Sequence, residues 1–431
     1  MHEVYPGCFR EELSPHLELV VEPIPHANSV AIGVWLSAGS REDPRGKDGL
    51  AHFTEHMVFK GTERHTAAEI ARIIDSLGGQ INAATSEEYT VYHSTVLAEG
   101  LETALGILAD LVTSPRFAPE EIERERGVAL EEIREAEDSP EDVTVRLLEE
   151  ALWGRDHPLG RPILGRADTV GTISREDLQG FFETHYRKGH KAVVICGRVE
   201  PEAVLDLTAR LFATDREGDL ATERRPPCGT GEFRVEARPI QQVHIAIGFP
   251  TIPAGAPERM ALEVLNTVVG GGMSSRLFQR VREERGLAYT ITSFVRYYTD
   301  AGYLGIYAAT EPKRAGEILT IVREELADLA RGGPDAGELV RAKRRVRGLF
   351  LLGLETPGGR MGRLGWLSAL GLPLHSPDRV LRELDAVTGE GVRRLAAEYL
   401  VPARASLALV GPRGTALERL AEEFVEVSGV A

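Results

Sequence analysis

Apolar positions along the chain fall into runs of period two and stripes of period 3.6, and the two kinds alternate. Residues 17–22 alternate and residues 29–36 are almost continuously apolar, which predicts two strands joined through turn material at 23–28. A polar loop over 39–49 delivers the chain into a short helix with strongly apolar flanks, Leu50, Ala51, Phe53, Met57, Val58 and Phe59. The stripe Ile70, Ile73, Ile74 and Leu77 predicts a helix over 66–77, opened by a capping box of Thr66 and Glu69 and stopped by Gly78 and Gly79. Residues 80–97 read as two strands with a polar bend near Ser86. A helix through Leu101, Leu105, Leu108, Leu111 and Val112 runs to Ser114 and Pro115. From Pro119 a long charged helix over 120–135 carries the stripe Ile122, Ala129, Ile133 and Ala136, proline being tolerated at its start. A helix over 177–186, a strand over 192–196 and a helix over 201–212 follow.

Residues 215–238 then lose apolar periodicity and become charged and rich in Gly and Pro, the composition of a linker. Beyond it the order of elements restarts: a strand at 243–250, a helix at 260–269, two strands within 293–310, a helix at 318–330 and a long charged helix at 335–352. The displacement is about 212 residues throughout, the mark of an internal duplication. The expected fold is α+β, with two homologous domains at 1–214 and 239–431. Each is a mainly antiparallel or mixed sheet covered by helices on one side.

Composition narrows the function. A chain of 431 residues exceeds one ordinary core, in keeping with two domains. The formal charge of −16 argues against a general nucleic-acid binder or a ligand of anionic membranes. Cys8, Cys196 and Cys228 are scattered without C-x-x-C spacing, so neither a disulfide framework nor a thiolate metal site is indicated. The first residues carry no basic start followed by an apolar stretch, and no run of 18 apolar residues exists to span a membrane. A cytoplasmic enzyme is the simplest expectation.

The chemistry lies in the first short helix, which reads His52-Phe53-Thr54-Glu55-His56. Histidines four apart on a helix share an azimuth to within about 40°, with Glu55 on the neighbouring edge. Imidazole suits a borderline-soft ion such as zinc, and a catalytic zinc takes three protein ligands and leaves a fourth position for water. A carboxylate beside the ion but not bonded to it can serve as the base. The alternative is a structural polar cluster. Against it, three polar side chains on so apolar a helix each need a partner, since an unpaired buried polar group costs about 1–3 kcal/mol; one shared ion supplies all three.

A third ligand has to come from elsewhere. In the long charged helix Glu125 and Glu132 are seven apart, so they share an azimuth to within about 20° beside the apolar stripe. Either carboxylate could turn toward the ion, and helical pattern does not choose between them. The second copy of the short helix, Met260 to Asn266, has no histidine. It is followed instead by the glycines Gly270, Gly271 and Gly272 and by a basic stretch in which Arg282 and Tyr289 stand seven apart. A glycine-rich turn before a basic helix can cradle phosphate, but neither nucleotide-loop pattern is present. Arg282 and Tyr289 could instead present a cation and a phenol to a carbonyl or oxyanion.

With these pieces assembled, the chain resembles the inverted-motif zinc peptidases of the pitrilysin and mitochondrial processing peptidase family, whose signature is H-x-x-E-H. The resemblance covers nearly the whole chain. It implies one zinc ion per chain held by His52, His56 and Glu132, with Glu55 as the general base and Glu125 supporting the site. It further implies that an extended peptide substrate adds to the strand containing Asn82, Ala83 and Ala84, and that Arg282 and Tyr289 bind the substrate near the scissile bond. In that family the zinc-bearing copy faces the C-terminal copy across a closed chamber, and in chains of this length the facing copy belongs to a second subunit. Because both the zinc set and the Arg/Tyr pair are intact, a homodimer is favoured over a heterodimer with a related chain. The implied activity is metalloendopeptidase; the alternative is a non-catalytic processing-peptidase-like partner or structural subunit.

Overall fold

A computed structural model of the chain describes residues 1–213 and 224–426. These divide into two compact units, the first drawn from Met1–Arg134, Pro162–Arg224 and Leu351–Ser376, the second from Glu135–Arg161, Arg225–Phe350 and Pro377–Ala431. In chain order the first half forms β1 (His2–Tyr5), β2 (Cys8–Ser14), β3 (Leu17–Pro23), β4 (Ser29–Leu36), α1 (Leu50–Val58), α2 (Ala67–Ser76), β5 (Gln80–Thr85), β6 (Thr90–Leu97), α3 (Leu101–Thr113), α4 (Pro119–Asp138), α5 (Pro140–Trp153), α6 (Ala167–Val170), α7 (Arg175–Phe181), β7 (Lys191–Gly197) and α8 (Pro201–Leu211). The second half forms β8 (Phe233–Arg238), β9 (Val243–Thr251), α9 (Arg259–Val269), β10 (Ala288–Tyr297), β11 (Gly302–Thr310), α10 (Ala315–Gly332), α11 (Ala336–Gly353), α12 (Pro357–Ala369), α13 (Pro377–Ala386), α14 (Gly389–Tyr399), β12 (Ser406–Pro412) and α15 (Leu417–Glu426).

Among the described residues, the first sheet has seven strands in the order β1-β2-β3-β7-β4-β6-β5, and the second has five in the order β10-β11-β9-β12-β8. In the first, β3 and β7 run parallel and every other neighbouring pair is antiparallel. In the second, β12 and β8 are the parallel pair. The path β3-β7-β4-β6-β5 is thus repeated as β8-β12-β9-β11-β10, which is the duplication read as topology. The β1–β2 hairpin extends the first sheet beyond β3 and has no equivalent in the second among the described residues.

Helical cover differs from the one-sided arrangement expected from the pattern. On one face of the first sheet, Val30, Ile32, Val34 and Leu36 of β4 pack with Phe53 and Met57 of α1 and Leu105 and Leu108 of α3. On the other, Ala31 and Trp35 pack with Met361, Leu364 and Leu367 of α12. In the second unit α5 takes the matching place, setting Leu147, Leu148 and Leu152 against Ala246, Ala408 and Val410. Each sheet is therefore covered in part by a helix from the other half of the chain. The physical reason is visible in β4 and β7: a strand buried on both faces must be apolar continuously rather than alternately, and all seven residues of β7 are buried. Close approach of α12 needs a glycine, because a Cβ on Gly365 would lie 2.0 Å from the Trp35 indole.

Of the stretch expected to be a linker, residues 215–223 lie outside the described residues. Its last six form β8, whose Phe-Arg-Val-Glu-Ala-Arg alternation suits an edge strand. Among the described residues, no helix is long and apolar enough to cross a membrane.

Candidate metal centre

Helix α1 starts where it does because Asp43 caps it. One carboxylate oxygen accepts from the Gly49 N–H and the other from the Ala51 N–H, both at 2.8 Å, which satisfies amides left free in the first turn. Gly49 itself has φ 94°, and a Cβ there would meet the Leu164 carbonyl oxygen at 2.6 Å, so only glycine serves. Leu50, Phe53 and Met57 then bury one face at helical spacing. His52, Glu55 and His56 are left together on the half-buried face.

Helix α4 runs alongside with Ile122, Glu125, Ala129 and Ile133 as its buried stripe. The two glutamates that helical pattern could not separate take different places. Glu132 Oε2 lies 3.3 Å from His56 Nε2 and 3.6 Å from His52 Nε2, and the two Nε2 atoms are 3.2 Å apart. Glu125 instead accepts from His56 Nδ1 at 2.9 Å through one oxygen and holds Lys60 Nζ at 2.7 Å with the other. With Glu125 ionised, Nδ1 carries the proton and Nε2 presents its lone pair.

The donor set fits a zinc ion. Donors about 2.0–2.1 Å from one ion in tetrahedral arrangement are about 3.4 Å apart, close to the three separations found. Two imidazole lone pairs and a carboxylate oxygen aimed at a common point repel one another, and a shared divalent cation removes that repulsion. His52, His56 and Glu132 form the one such group of metal-ligating side chains among the described residues. Burial, aided by the neighbouring His56, pushes His52 down to about 3, which keeps it neutral and able to ligate.

Glu55 does not join the ligand trio. Its carboxylate is largely buried and accepts a hydrogen bond from the Thr85 hydroxyl at 2.6 Å. Burial raises its pKa, with the Thr85 bond and the His56 charge opposing. For His56, burial disfavours the charged ring, but the hydrogen bond to Glu125 and the charges of Glu132 and Glu55 outweigh it and raise its pKa. Burial likewise acts against the Glu125 charge, and the His56 and Lys60 hydrogen bonds overcome it, so this carboxyl titrates below its usual range.

Asn82, Ala83 and Ala84 lie on β5, the edge strand of the first sheet, with Asn82 and Ala84 exposed and Ala83 half-buried. The strand ends at Thr85, so its far end touches Glu55. Arg282 and Tyr289 belong to the second unit, Arg282 in the helical turn Phe278–Glu283 and Tyr289 at the start of β10. The guanidinium lies 4.4 Å over the Tyr289 ring and donates to the Tyr289 carbonyl at 3.0 Å. Tyr289 is 78% exposed, with the half-buried Arg282 beside it. Packing explains two of the glycines before them: a Cβ on Gly270 would lie 2.7 Å from the Ser293 amide nitrogen, and one on Gly271 2.9 Å from the Thr267 Cα.

The Lys60 clamp on Glu125, the Thr85 bond to Glu55 and the Asp43 cap are not among the contacts expected from the sequence. Lys60 had a usable signal, since it stands four residues beyond His56. Thr85 and Asp43 had none, because their partners are set by tertiary folding.

Residues 19–167 match the model described as insulinase, peptidase family M16, and residues 172–346 match that of the peptidase M16 inactive domain. An uncharacterized zinc protease of Mycobacterium tuberculosis is 38% identical over 416 residues, spanning 94% of this chain and 93% of the relative. One of Bacillus subtilis is 36% identical over 398 residues, spanning 92% and 97%. Among solved structures, a protease from Helicobacter pylori superposes with a TM-score of 0.88 at 22% identity, covering 94% of this chain and 99% of the other. A protein described as the peptidase M16 inactive domain from Pseudomonas fluorescens gives 0.87 at 21% identity, covering 94% and 98%. Likeness at that identity speaks for the fold, and the sequence relatives speak for the family. The chain belongs to the M16 peptidase family, in its short two-domain form.

Proposed function

We propose that the chain is a zinc-dependent endopeptidase that hydrolyses peptides or unfolded segments. The observation that carries this reading is the convergence of His52, His56 and Glu132 on one point, with Glu55 beside them and outside the ligand set. Zinc held there supplies Lewis acidity to a neighbouring water and to a peptide carbonyl. Glu55 removes a proton from the attacking water and returns it to the leaving amine. Glu125 fixes the His56 tautomer and ring plane.

An extended peptide adds its backbone to the free edge of β5 at Asn82, Ala83 and Ala84, giving affinity with little demand on side chains. Arg282 and Tyr289 donate to the carbonyl oxygen as charge develops on it. We further propose a cytoplasmic homodimer in which these two residues act on the partner's metal centre across a closed chamber. The rival reading is a non-catalytic partner subunit, and the complete set of His52, Glu55, His56 and Glu132 favours catalysis over it.

The test is cleavage of an unstructured peptide by zinc-loaded wild type and Glu55→Gln, with zinc content measured in both. The expected result is cleavage by wild type and a loss of about 10²–10⁴-fold in the variant at equal zinc. Equal cleavage by both rejects Glu55 as the base. One zinc per chain with no cleavage by wild type supports the non-catalytic reading.

A further inference from the structure

Glu125 is clamped at both oxygens, one by His56 Nδ1 at 2.9 Å and the other by Lys60 Nζ at 2.7 Å. Its side chain is only 7% exposed. A carboxylate so buried, on the same helix stripe as Glu132, needs a counter-charge to stay where it is. Lys60 is placed to give it. The residue lies just past the end of α1, its amide donating to the Met57 carbonyl at 3.1 Å, and Gly61 then turns the chain away with φ 115°. The lysine is thus fixed to the same helix end as His56, and its ammonium reaches inward along a partly buried stem.

Resting on the metal-centre reading above, we propose that Lys60 is a positioning residue of that centre. A carboxylate held at one oxygen can swing about its last torsion; held at both, it cannot. Lys60 therefore fixes the oxygen that accepts from His56 Nδ1, and with it the imidazole plane and the aim of Nε2 toward Glu132.

The test is zinc affinity, measured on the full chain by competition with a chromophoric chelator, for Lys60→Met, Lys60→Arg, Glu125→Gln and the double variant Lys60→Met/Glu125→Gln. Thermal unfolding of the metal-free proteins serves as the folding control. Lys60→Met is expected to weaken zinc binding by about tenfold or more, Lys60→Arg to restore most of it, and the double variant to bind no more weakly than Glu125→Gln. If Lys60→Met does not fold, the arginine and Glu125→Gln variants still decide. An arginine as weak as Glu125→Gln overturns the role, because arginine keeps the counter-charge. Unchanged affinity in Lys60→Met, or losses that simply add in the double variant, also overturns it, as does a lowered unfolding temperature with normal affinity. A wild-type chain that binds no zinc overturns the metal-centre reading and this role together.

Discussion

Thr85, the last residue of β5, donates its hydroxyl to Glu55 Oε2 at 2.6 Å, so the end of an exposed edge strand is tied to the carboxylate read as the base. A hydrogen bond to a charged group contributes about 1.5–3 kcal/mol. Thr85→Val removes it while keeping shape. The expected outcome in steady-state kinetics is a fall in kcat of about tenfold or more, with KM and zinc content nearly unchanged. A loss confined to KM would mean that Thr85 serves substrate binding and leaves the base untouched.

The Arg282 and Tyr289 pair gives a test of assembly. Arg282→Ala is expected to lower kcat/KM by about 10²-fold, the scale for losing a donor to a developing oxyanion, with zinc affinity intact. If the pair acts on the partner's centre, mixing Arg282→Ala with Glu55→Gln and allowing subunits to exchange creates dimers with one complete site. Activity should recover to about a quarter of wild type for random pairing of two-fold dimers. No recovery after verified exchange would place the pair and the base in the same subunit's chemistry.

Arg224 predicts a stability effect. It donates to Glu42 Oε1 at 2.9 Å and to the Glu88 carbonyl at 3.1 Å, and it lies 3.2 Å from Glu88 Oε1, while Arg41 meets that same oxygen at 2.6 Å. The Glu42 and Glu88 side chains are 1% and 2% exposed. These groups join the loop before α1 to the turn after β5, where the Ser40 amide also donates to the Ser86 carbonyl at 3.0 Å. Removing one partner of a buried ion pair costs roughly 3–5 kcal/mol. Arg224→Ala should lower the free energy of unfolding in urea at neutral pH by that order, and Arg224→Lys by less. An unchanged midpoint would contradict this account of the cluster.

How far the sequence led depends on how local each relationship is. His52, Glu55 and His56 were legible because one turn of helix fixes their mutual placement. Glu125 and Glu132 were legible as a pair on one stripe, but which of them approaches the histidines depends on how α4 lies against α1, and helical pattern carries no such information. The exchange of α5 and α12 was hidden for a related reason. Leu147, Leu148 and Leu152, or Met361, Leu364 and Leu367, say which face of a helix is buried but not which sheet buries it. The continuous apolar run of β4 fits cover on both faces, against the one-sided cover expected from the pattern. The β1–β2 hairpin gave little sign of itself, because its strands at the sheet margin bury few side chains.

The central claim is a three-ligand metal centre, and equilibrium zinc binding tests it most directly. Wild type, Glu132→Ala and Glu131→Ala should be compared by chelator competition and metal analysis, the Glu131 side chain being 67% exposed and paired with Arg134. The account predicts one zinc per chain in wild type and in Glu131→Ala, with binding weakened roughly a hundredfold or more in Glu132→Ala, beyond what loss of an outer partner produces. A wild type that takes up no zinc, or a Glu132→Ala variant that binds it as tightly as wild type, would contradict the account.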